Sequence, residues 1–221
     1  MKASVILLLI WGLLLSCSRL PEIVPADQAP LPVADFACRN LFPEGNWQLT
    51  HAIEATLPGN RKGFMLGVTV LSSATRSVKM VIMTLEGFVV FEARHEGQTT
   101  SIDRAVAPFD SDAFARGLMA DIDLIFFKPQ AVREIRGVFN GDTAGCRYHL
   151  RDDGVVDVVK TADNRWETRQ YLASHRLVRT VKSVYDPKNS GIAKKIALTA
   201  YGHPGYALAM DLLEAIPLGD D

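Results

Sequence analysis

The chain of 221 residues is 48% hydrophobic and 22% charged, with a formal net charge of −1. A chain of this composition can bury an ordinary core, and it has no overall positive charge with which to bind nucleic acid. We therefore expect no nucleic-acid partner. About 205 residues follow the apolar N-terminal segment, which is enough for one sizeable domain.

The first 17 residues have the pattern of a secretory signal. Lys2 gives a positive start, residues 5–15 are apolar apart from Gly12, and Ser16 places a small residue directly before Cys17. The apolar run is shorter than the roughly 20 residues that a permanent membrane-spanning helix needs. We predict a signal peptide over residues 1–16. An ordinary signal peptide with a chance cysteine, or a short membrane anchor, is the alternative.

The end of this segment, Leu14-Leu15-Ser16-Cys17, resembles a bacterial lipobox. The resemblance implies that the Cys17 thiol is diacylated, that the chain is cut before it, and that the new amine receives a further acyl chain such as palmitate. Two or more acyl chains hold a protein stably on a membrane. Ser18 stands where lipoproteins of the inner membrane usually carry Asp, which implies export to the periplasmic face of the outer membrane.

Four prolines and few large apolar side chains characterise residues 17–35. We predict that this segment is a flexible tether between the lipid and a single folded domain over residues 36–221.

Two cysteines remain besides Cys17. An exported protein enters an oxidising compartment, where Cys38 and Cys146 can form a disulfide. Both can equally stay unpaired as small buried residues, because the sequence does not show whether their Cα atoms lie within bonding range.

From residue 47 to about residue 105 apolar side chains recur with a period of two, which predicts several antiparallel strands with tight connections. Several of these strands are apolar on both faces, so we expect both faces to be covered. Between residues 84 and 87 the chain must reverse, which places Leu85 at an exposed turn.

The period becomes helical between residues 108 and 139. Residues 110–112 (DSD) offer a cap and a favourable charge for a helix over 113–127. Pro129 suits the start of a second helix, which the Asn140-Gly141 pair would end.

Asp121 and Asp123 fall on different sides of the first predicted helix, so we interpret them as solvated carboxylates rather than as a catalytic pair. Strands return after residue 146, and a hairpin of 196–201 and 206–213 ends the pattern. The order of elements predicts an α+β chain in which one large sheet curls around a helical insert.

Known catalytic and metal-binding motifs are missing from the sequence. The five histidines are not at metal-ligand spacings, and no nucleophile elbow, P-loop or dinucleotide fingerprint is present.

Arg147, His149 and Arg151 share a strand face and suit either a polar site or a solvated surface. Residues 160–195 are rich in Lys and Arg, which suits a solvated face or attraction to anionic lipid. We expect no enzyme, metal or cofactor.

The order of elements resembles a known family. A lipobox and a proline-rich segment precede amphipathic strands, the turn 84–87 (TLEG) leads into 88–91 (FVVF), an acidic cap precedes helix 113–127, and the hairpin 196–213 follows. This order is similar to that of the LolB outer-membrane lipoprotein receptor and its periplasmic carrier relative LolA, and above all to LolB-like lipoproteins of unknown function. The resemblance covers most of residues 47–213.

The resemblance implies an incomplete antiparallel β-barrel with a helical lid, whose apolar inside holds acyl chains. On that fold nine side chains are predicted to face the cavity: Phe64, Leu66, Val68, Val78, Met80, Ile82, Phe114, Leu118 and Ile122. In the LolB receptor, a Leu in a Pro-Leu-Gly turn protrudes and helps to pass lipoprotein into the membrane. Leu85 matches it, although Thr84 replaces the Pro and Glu86 is inserted before Gly87.

Three functions are compatible with these features. The first is an outer-membrane lipoprotein that binds lipid or the acyl chains of another protein, for transfer or insertion at the membrane to which Cys17 attaches it. The second is a structural or accessory lipoprotein whose barrel is filled by its own side chains. The third is an enzyme that acts on a lipid-like substrate.

Overall fold

The structure, a computed structural model, describes residues 19–29, 38–97, 99–186, 191–202 and 205–219. In these ranges the chain forms strands β1 (Ile23–Pro25), β2 (Asn46–Leu57), β3 (Arg61–Ser72), β4 (Ser77–Met83), β5 (Val89–Glu96), β6 (Thr99–Ala105), β7 (Ala131–Phe139), β8 (Thr143–Leu150), β9 (Val155–Ala162), β10 (Arg165–Tyr171), β11 (Leu177–Tyr185), β12 (Ala193–Ala200) and β13 (Tyr206–Leu218), the helix α1 (Asp112–Phe126), and a single 3-10 turn at Cys38–Leu41. The predicted signal peptide 1–16, and Cys17, Ser18 and residues 30–35 of the predicted tether, lie outside the described residues.

All thirteen strands belong to one antiparallel sheet. Its order is β1-β7-β8-β9-β10-β11-β12-β13-β2-β3-β4-β5-β6, so that most neighbours in space are also neighbours in sequence. In the middle of the sheet, two strands that are distant in sequence are neighbours: β13 pairs along most of its length with β2 and joins the C-terminal half of the sheet to the N-terminal half. The sheet is open, with β1 and β6 at its two edges.

The sheet curls around α1. Inward side chains of β2, β4, β9 and β11, such as Leu49, Met80, Val158 and Val181, join one hydrophobic cluster with the buried face of the helix. A flat sheet of this width could not bring strands from both halves onto one helix. The architecture is therefore a mostly β, open, curved antiparallel sheet with one helix on its concave side.

The helix begins where the sequence predicts it. Ser111 is extended and accepts a hydrogen bond at its Oγ from the Phe114 N–H at 3.2 Å. Asp112 adds a negative charge to the first turn, where it interacts favourably with the helix dipole. The predicted helix over 113–127 is thus confirmed within one residue at each end.

The second predicted helix is wrong. Residues 131–139 form β7, which pairs along its length with β8 and, at Phe139 to Gly137, with β1. The pairing outweighs the helical spacing of Val132, Ile135 and Phe139, because a strand beside β8 satisfies the backbone hydrogen bonds of both strands. Its last three residues are buried, and Val132 is exposed.

Part of the predicted tether is ordered structure. Ile23–Pro25 forms β1, an edge strand whose residues pair antiparallel with β7. A flexible tether is therefore a wrong description of this stretch, although an edge strand tolerates the proline at its end.

Three of the predicted cavity residues point away from the helix. Leu71, Thr69 and Gly67 of β3 face inward, so that Phe64, Leu66 and Val68 lie on the outward face, where Phe64 is 56% exposed. Side chains along a strand alternate between its two faces. The face that turns inward therefore determines the direction of every side chain of the strand. Gly67 occupies the inward face because a Cβ there would come within 2.7 Å of the Ile53 Cδ1.

A disulfide joins Cys38 to Cys146, with the two Cα atoms 6.3 Å apart. It ties the 3-10 turn before β2 to the inward face of β8. The Tyr185 hydroxyl adds a second tie, because it donates a hydrogen bond to the Leu41 carbonyl oxygen at 2.9 Å. This segment is thereby held against the core from two directions.

Candidate functional site

A cavity of about 430 Å³ opens between the C-terminal half of α1 and the two halves of the curved sheet. The turns after β3 and β5 line one side, and strands β8, β9 and β10 line the other. Its lining residues are Thr75, Arg76, His95, Gly97, Ala120, Asp123, Leu124, Phe127, Pro129, Gln130, Leu150, Val156 and Gln170. The volume is within the range of small-molecule sites in proteins.

The cavity has an apolar side and a polar rim. Leu124, Phe127 and Val156 are buried and supply apolar surface, whereas Arg76 and Asp123 supply charge. Tyr148 does not line the cavity, but it lies opposite the lining residue Val156 in the sheet, and its buried hydroxyl has no hydrogen-bond partner among the described residues. An amphipathic ligand with an apolar chain and a polar end matches these surroundings.

Arg76 holds the end of the helix. Its guanidinium forms an ion pair with Asp123, donates a hydrogen bond to the Lys128 carbonyl oxygen at 2.8 Å, and lies 4.7 Å above the centre of the Phe127 ring. Arg76 has a φ of 51°, a left-handed conformation that a non-glycine residue adopts only at a cost. The turn after β3 is therefore shaped to place this cation against α1.

The opposite side of the helix is held by a buried polar network. Asp121 is 3% exposed and accepts hydrogen bonds from the Arg179 Nε at 2.7 Å and from the Tyr206 hydroxyl. Arg179 also donates to the Gln170 Oε1 at 3.2 Å, which connects the network to a lining residue of the cavity. Burial raises the pKa of the Asp121 carboxyl, and the Tyr206 and Arg179 bonds oppose that rise.

The sequence interpretation of Asp121 as a solvated residue is wrong. It is buried because the inward faces of β11 and β13 present Arg179 and Tyr206 to the helix. Asp123 is exposed, as expected, although it pairs with Arg76. Helical spacing correctly places the two carboxylates on different sides of the helix. It does not show that a curled sheet covers more than one of those sides.

His51 is a second buried polar residue of the concave side. It is 1% exposed, its ring centre lies 5.8 Å from that of Phe126, and neither ring nitrogen has a hydrogen-bond partner within the described ranges. Burial lowers the pKa of His51 from 6.5 to about 4, because the apolar surroundings disfavour the imidazolium.

Protonation of His51 should therefore destabilise the fold in acid. Between pH 6.5 and about 4 the unfolded chain binds a proton at this residue and the folded chain does not. The contribution to stability is present above pH 6.5 and is lost as the pH falls to about 4, with a total of about 3 kcal/mol.

The measurement is the free energy of unfolding by denaturant across this pH range, for the parent and for His51→Leu. The variant should lose less stability on acidification, because every other titrating group is common to both chains. Equal slopes for the two chains would contradict a neutral, buried His51.

Six of the nine predicted cavity residues do face inward, but they belong to the packed core. Val78, Met80, Ile82 and Ile122 are buried, and Phe114 and Leu118 are half-buried against the core cluster. None of the nine lines the cavity of about 430 Å³. Its lining comes mostly from turns and from the other half of the sheet, which no local pattern connects to α1.

Leu85 lies in the turn between β4 and β5 and is 62% exposed. Gly87 has a φ of 88°, and its N–H donates to the Thr84 carbonyl oxygen at 3.0 Å to close the turn. Phe88 is 63% exposed, so this turn carries two exposed large apolar residues. The sequence predicts this exposed position; the role of Leu85 stays a prediction.

Arg147 lies on the outward face of β8 but is buried. It forms a two-point ion pair with Asp157, with Nε–Oδ1 and Nη2–Oδ2 distances of 2.7 Å. His149 is half-buried and Arg151 is exposed beyond the strand end. The three residues therefore do not form a common polar site.

Several residues of the cavity and the network have no recognisable signal in the sequence. Arg76, Gln170 and Arg179 come from three separate strands or turns, and only the curl of the sheet brings them to α1. Among the described residues no group of three or more His, Cys, Asp or Glu is placed to hold a metal ion. No helix of the described ranges combines the length and hydropathy of a membrane span.

No protein-family model matches the chain, and no curated protein sequence matches it. The fold does match a solved structure, the LolA superfamily protein NE2245 from Nitrosomonas europaea. The two chains are 12% identical, superpose with a TM-score of 0.50, and overlap over 81% of this chain and 88% of the other. The fold is LolA-like. This similarity supports the resemblance at the level of the fold.

A second solved structure, the S-type phycobiliprotein lyase of Guillardia theta, is 7% identical. It covers 80% of this chain and 89% of its own length, but its TM-score is 0.22, which is too low to support a structural conclusion.

Proposed function

We propose that the protein is a lipoprotein of the outer membrane that binds lipid or the acyl chains of another protein for transfer at that membrane. The observation that carries this proposal is the cavity beside α1, with its apolar Leu124, Phe127 and Val156 and its polar rim, in a LolA-like fold. An acyl chain suits the apolar side, and a headgroup or ester suits the rim. The binding needs no covalent chemistry.

In this proposal Cys17 carries the lipid that attaches the chain to the membrane, and α1 is the lid. The lid is held by Arg76 on one side and by Arg179 and Tyr206 on the other. Rearrangement of these polar contacts would let the helix move and enlarge the cavity, as lid motions do in other binding proteins.

The test is to fill the cavity. Ala120 lines it from the helix, whereas Ala113 is exposed near the start of the same helix and is not part of the lining. Ala120→Phe should weaken the binding of a fluorescent fatty acid by at least about tenfold, equivalent to about 1.4 kcal/mol. Ala113→Phe should leave binding unchanged.

Thermal unfolding of both variants accompanies the binding measurement, so that loss of ligand is not confused with loss of structure. A parent protein that takes up no fatty acid, or an Ala120→Phe variant that binds as well as the parent, would contradict the proposed cavity.

A second candidate function is an accessory lipoprotein with a self-filled interior. It is favoured by the packing of Met80, Ile82 and Ile122, which occupy the concave side with the helix's own side chains. Absence of fatty-acid uptake together with normal stability of the parent would select this alternative.

The tip of the turn after β4 gives a separate prediction about transfer. Leu85→Glu should change the free energy of unfolding by no more than about 0.5 kcal/mol, because the side chain is exposed. It should slow the transfer of a labelled fatty acid from the protein to vesicles, because a charge at the tip opposes contact with apolar surface.

The matched control is Leu213→Glu, since Leu213 is 59% exposed on β13 and lies far from this turn in sequence. Equal transfer rates for Leu85→Glu and the parent would exclude the turn as a contact in transfer.

A further inference from the structure

The N-terminal segment is bound to the sheet from Glu22 onward. The Glu22 carbonyl oxygen accepts a hydrogen bond from the Asn140 N–H at 3.2 Å, and the Ala26 N–H donates to the Arg136 carbonyl oxygen at 2.9 Å. Between these two bonds β1 pairs with β7. A Cβ on Gly137 would collide with the Val24 carbonyl, so this glycine allows the close approach of the strand.

The residues before β1 are held on the outward face of β8 and β9. The Pro21 carbonyl oxygen accepts a hydrogen bond from the Arg147 Nη2 at 2.8 Å. Arg147 is in turn fixed by Asp157, which is 0% exposed. The outward face is also apolar and buried here, at Phe139, Val155 and Val159.

This attachment leaves a very short connection to the predicted anchor. Cys17 precedes Arg19 by two residues, so their Cα atoms are at most about 7 Å apart. A membrane that holds the chain at Cys17 must therefore lie close to Arg19 and Pro21.

The outward face of β7–β11 carries three exposed cations, against the exposed carboxylates of Glu22 and Asp27 that flank β1. Its exposed cations on β7, β10 and β11 are Arg133, Arg165 and Lys182, and none of them forms an ion pair with a described residue. The neighbouring Arg169 and Glu167 neutralise each other at 2.7 Å. A surplus of positive charge suits the phosphate groups of anionic lipids.

We propose that the outward face of β7–β11 lies against the headgroups of the membrane that carries the anchor, held there by the short connection to Arg19 and by Arg133, Arg165 and Lys182. This inference rests on the proposed attachment at Cys17. The outward face of β3, where Phe64 is 56% exposed, lies seven strands from β8 in the sheet.

The experiment measures which face meets the lipid. The full-length protein is reconstituted in vesicles of phosphatidylcholine and phosphatidylglycerol that contain headgroup-labelled nitroxide lipids. A fluorophore is attached at Lys182→Cys or, as the matched control, at Arg104→Cys, an exposed outward position on β6 at the other edge of the sheet. Quenching should be several-fold stronger at position 182, and equal or stronger quenching at position 104 would overturn the proposal.

A lengthened variant tests the short connection itself. A flexible Gly-Ser insertion of about ten residues between Ser18 and Arg19 adds a root-mean-square reach of roughly 17 Å. The difference in quenching between positions 182 and 104 should then shrink, most of all at an ionic strength that screens the lipid charge. A difference that persists unchanged in high salt would overturn the short connection as its cause.

These outcomes are separable from those of the cavity. Flotation of the parent with the vesicles reports the anchor, and a parent that does not float contradicts both the anchor and the orientation. Failure of fatty-acid uptake with a preserved difference in quenching contradicts the cavity alone. Normal uptake with equal quenching at the two positions contradicts the orientation alone.

Discussion

Loss of the disulfide should reduce the free energy of unfolding by about 4 kcal/mol. Cys38 and Cys146 are 108 residues apart, and a cross-link between such distant residues removes a large part of the conformational freedom of the unfolded chain. Both cysteines are fully buried, so alanine is the better replacement, since serine would add a buried hydroxyl. The Cys38→Ala/Cys146→Ala variant and the parent are compared by denaturant unfolding.

Reduction provides the control. A thiol reductant should destabilise the parent by a similar amount and leave the double-alanine variant unaffected. A loss below about 1 kcal/mol would mean that the unfolded chain gains little freedom when the bridge is broken.

Removal of one partner of the buried Arg147–Asp157 pair should have an effect of similar size. Asp157→Ala leaves the Arg147 guanidinium buried without its counter-charge, which typically costs about 3–5 kcal/mol. Replacement of both residues by apolar ones of similar size should recover much of the loss, because no unpaired charge remains. Free energies of unfolding of Asp157→Ala and of Arg147→Met/Asp157→Leu test this comparison.

The double variant also tests how the segment before β1 is attached to the domain. Arg147→Met/Asp157→Leu removes the donor to the Pro21 carbonyl oxygen. Limited proteolysis should therefore cut the segment before β1 faster in this variant than in the parent, even where the core is stable. A double variant no more stable than Asp157→Ala would show that the cost is in packing and not in the unpaired charge.

The polar contacts of α1 link stability to the proposed function. Arg76 comes from the turn after β3, Arg179 and Tyr206 come from the sheet, and all three bind carboxylates of the helix. The Arg179–Asp121 pair, whose carboxylate is buried, contributes little net stability relative to apolar packing, but it fixes one arrangement and penalises others. A helix held in this way can keep one closed position. When it separates from the sheet, the surface that it exposes is partly polar and not wholly apolar.

Most of the strands and the first helix could be predicted from the sequence because their signals are local. Residues 47–105 alternate with a period of two, and the cap at Ser111 requires only the N–H of Phe114 three residues later. The turn at Leu85 follows in the same way from two flanking strands and Gly87. Each of these features involves residues within a few positions of one another.

The second helix failed for the opposite reason. Val132, Ile135 and Phe139 have helical spacing, but residues 131–139 lie beside β8 and β1 in the folded chain. Sheet hydrogen bonds with partners elsewhere in the sequence decided the outcome. The same pairing converts part of the proline-rich segment into β1.

The sequence by itself determined where α1 and most of the strands lie, because alternation, capping and turn formation depend on neighbouring residues; β1 and β7 are the exceptions. Only the tertiary structure decided which apolar face of β3 turns inward, that Cys38 meets Cys146, and that Asp121 is buried. Those outcomes depend on the curl of the sheet around the helix. The cavity belongs with them, since its lining comes from turns and strands that meet only when the two halves of the sheet close on α1.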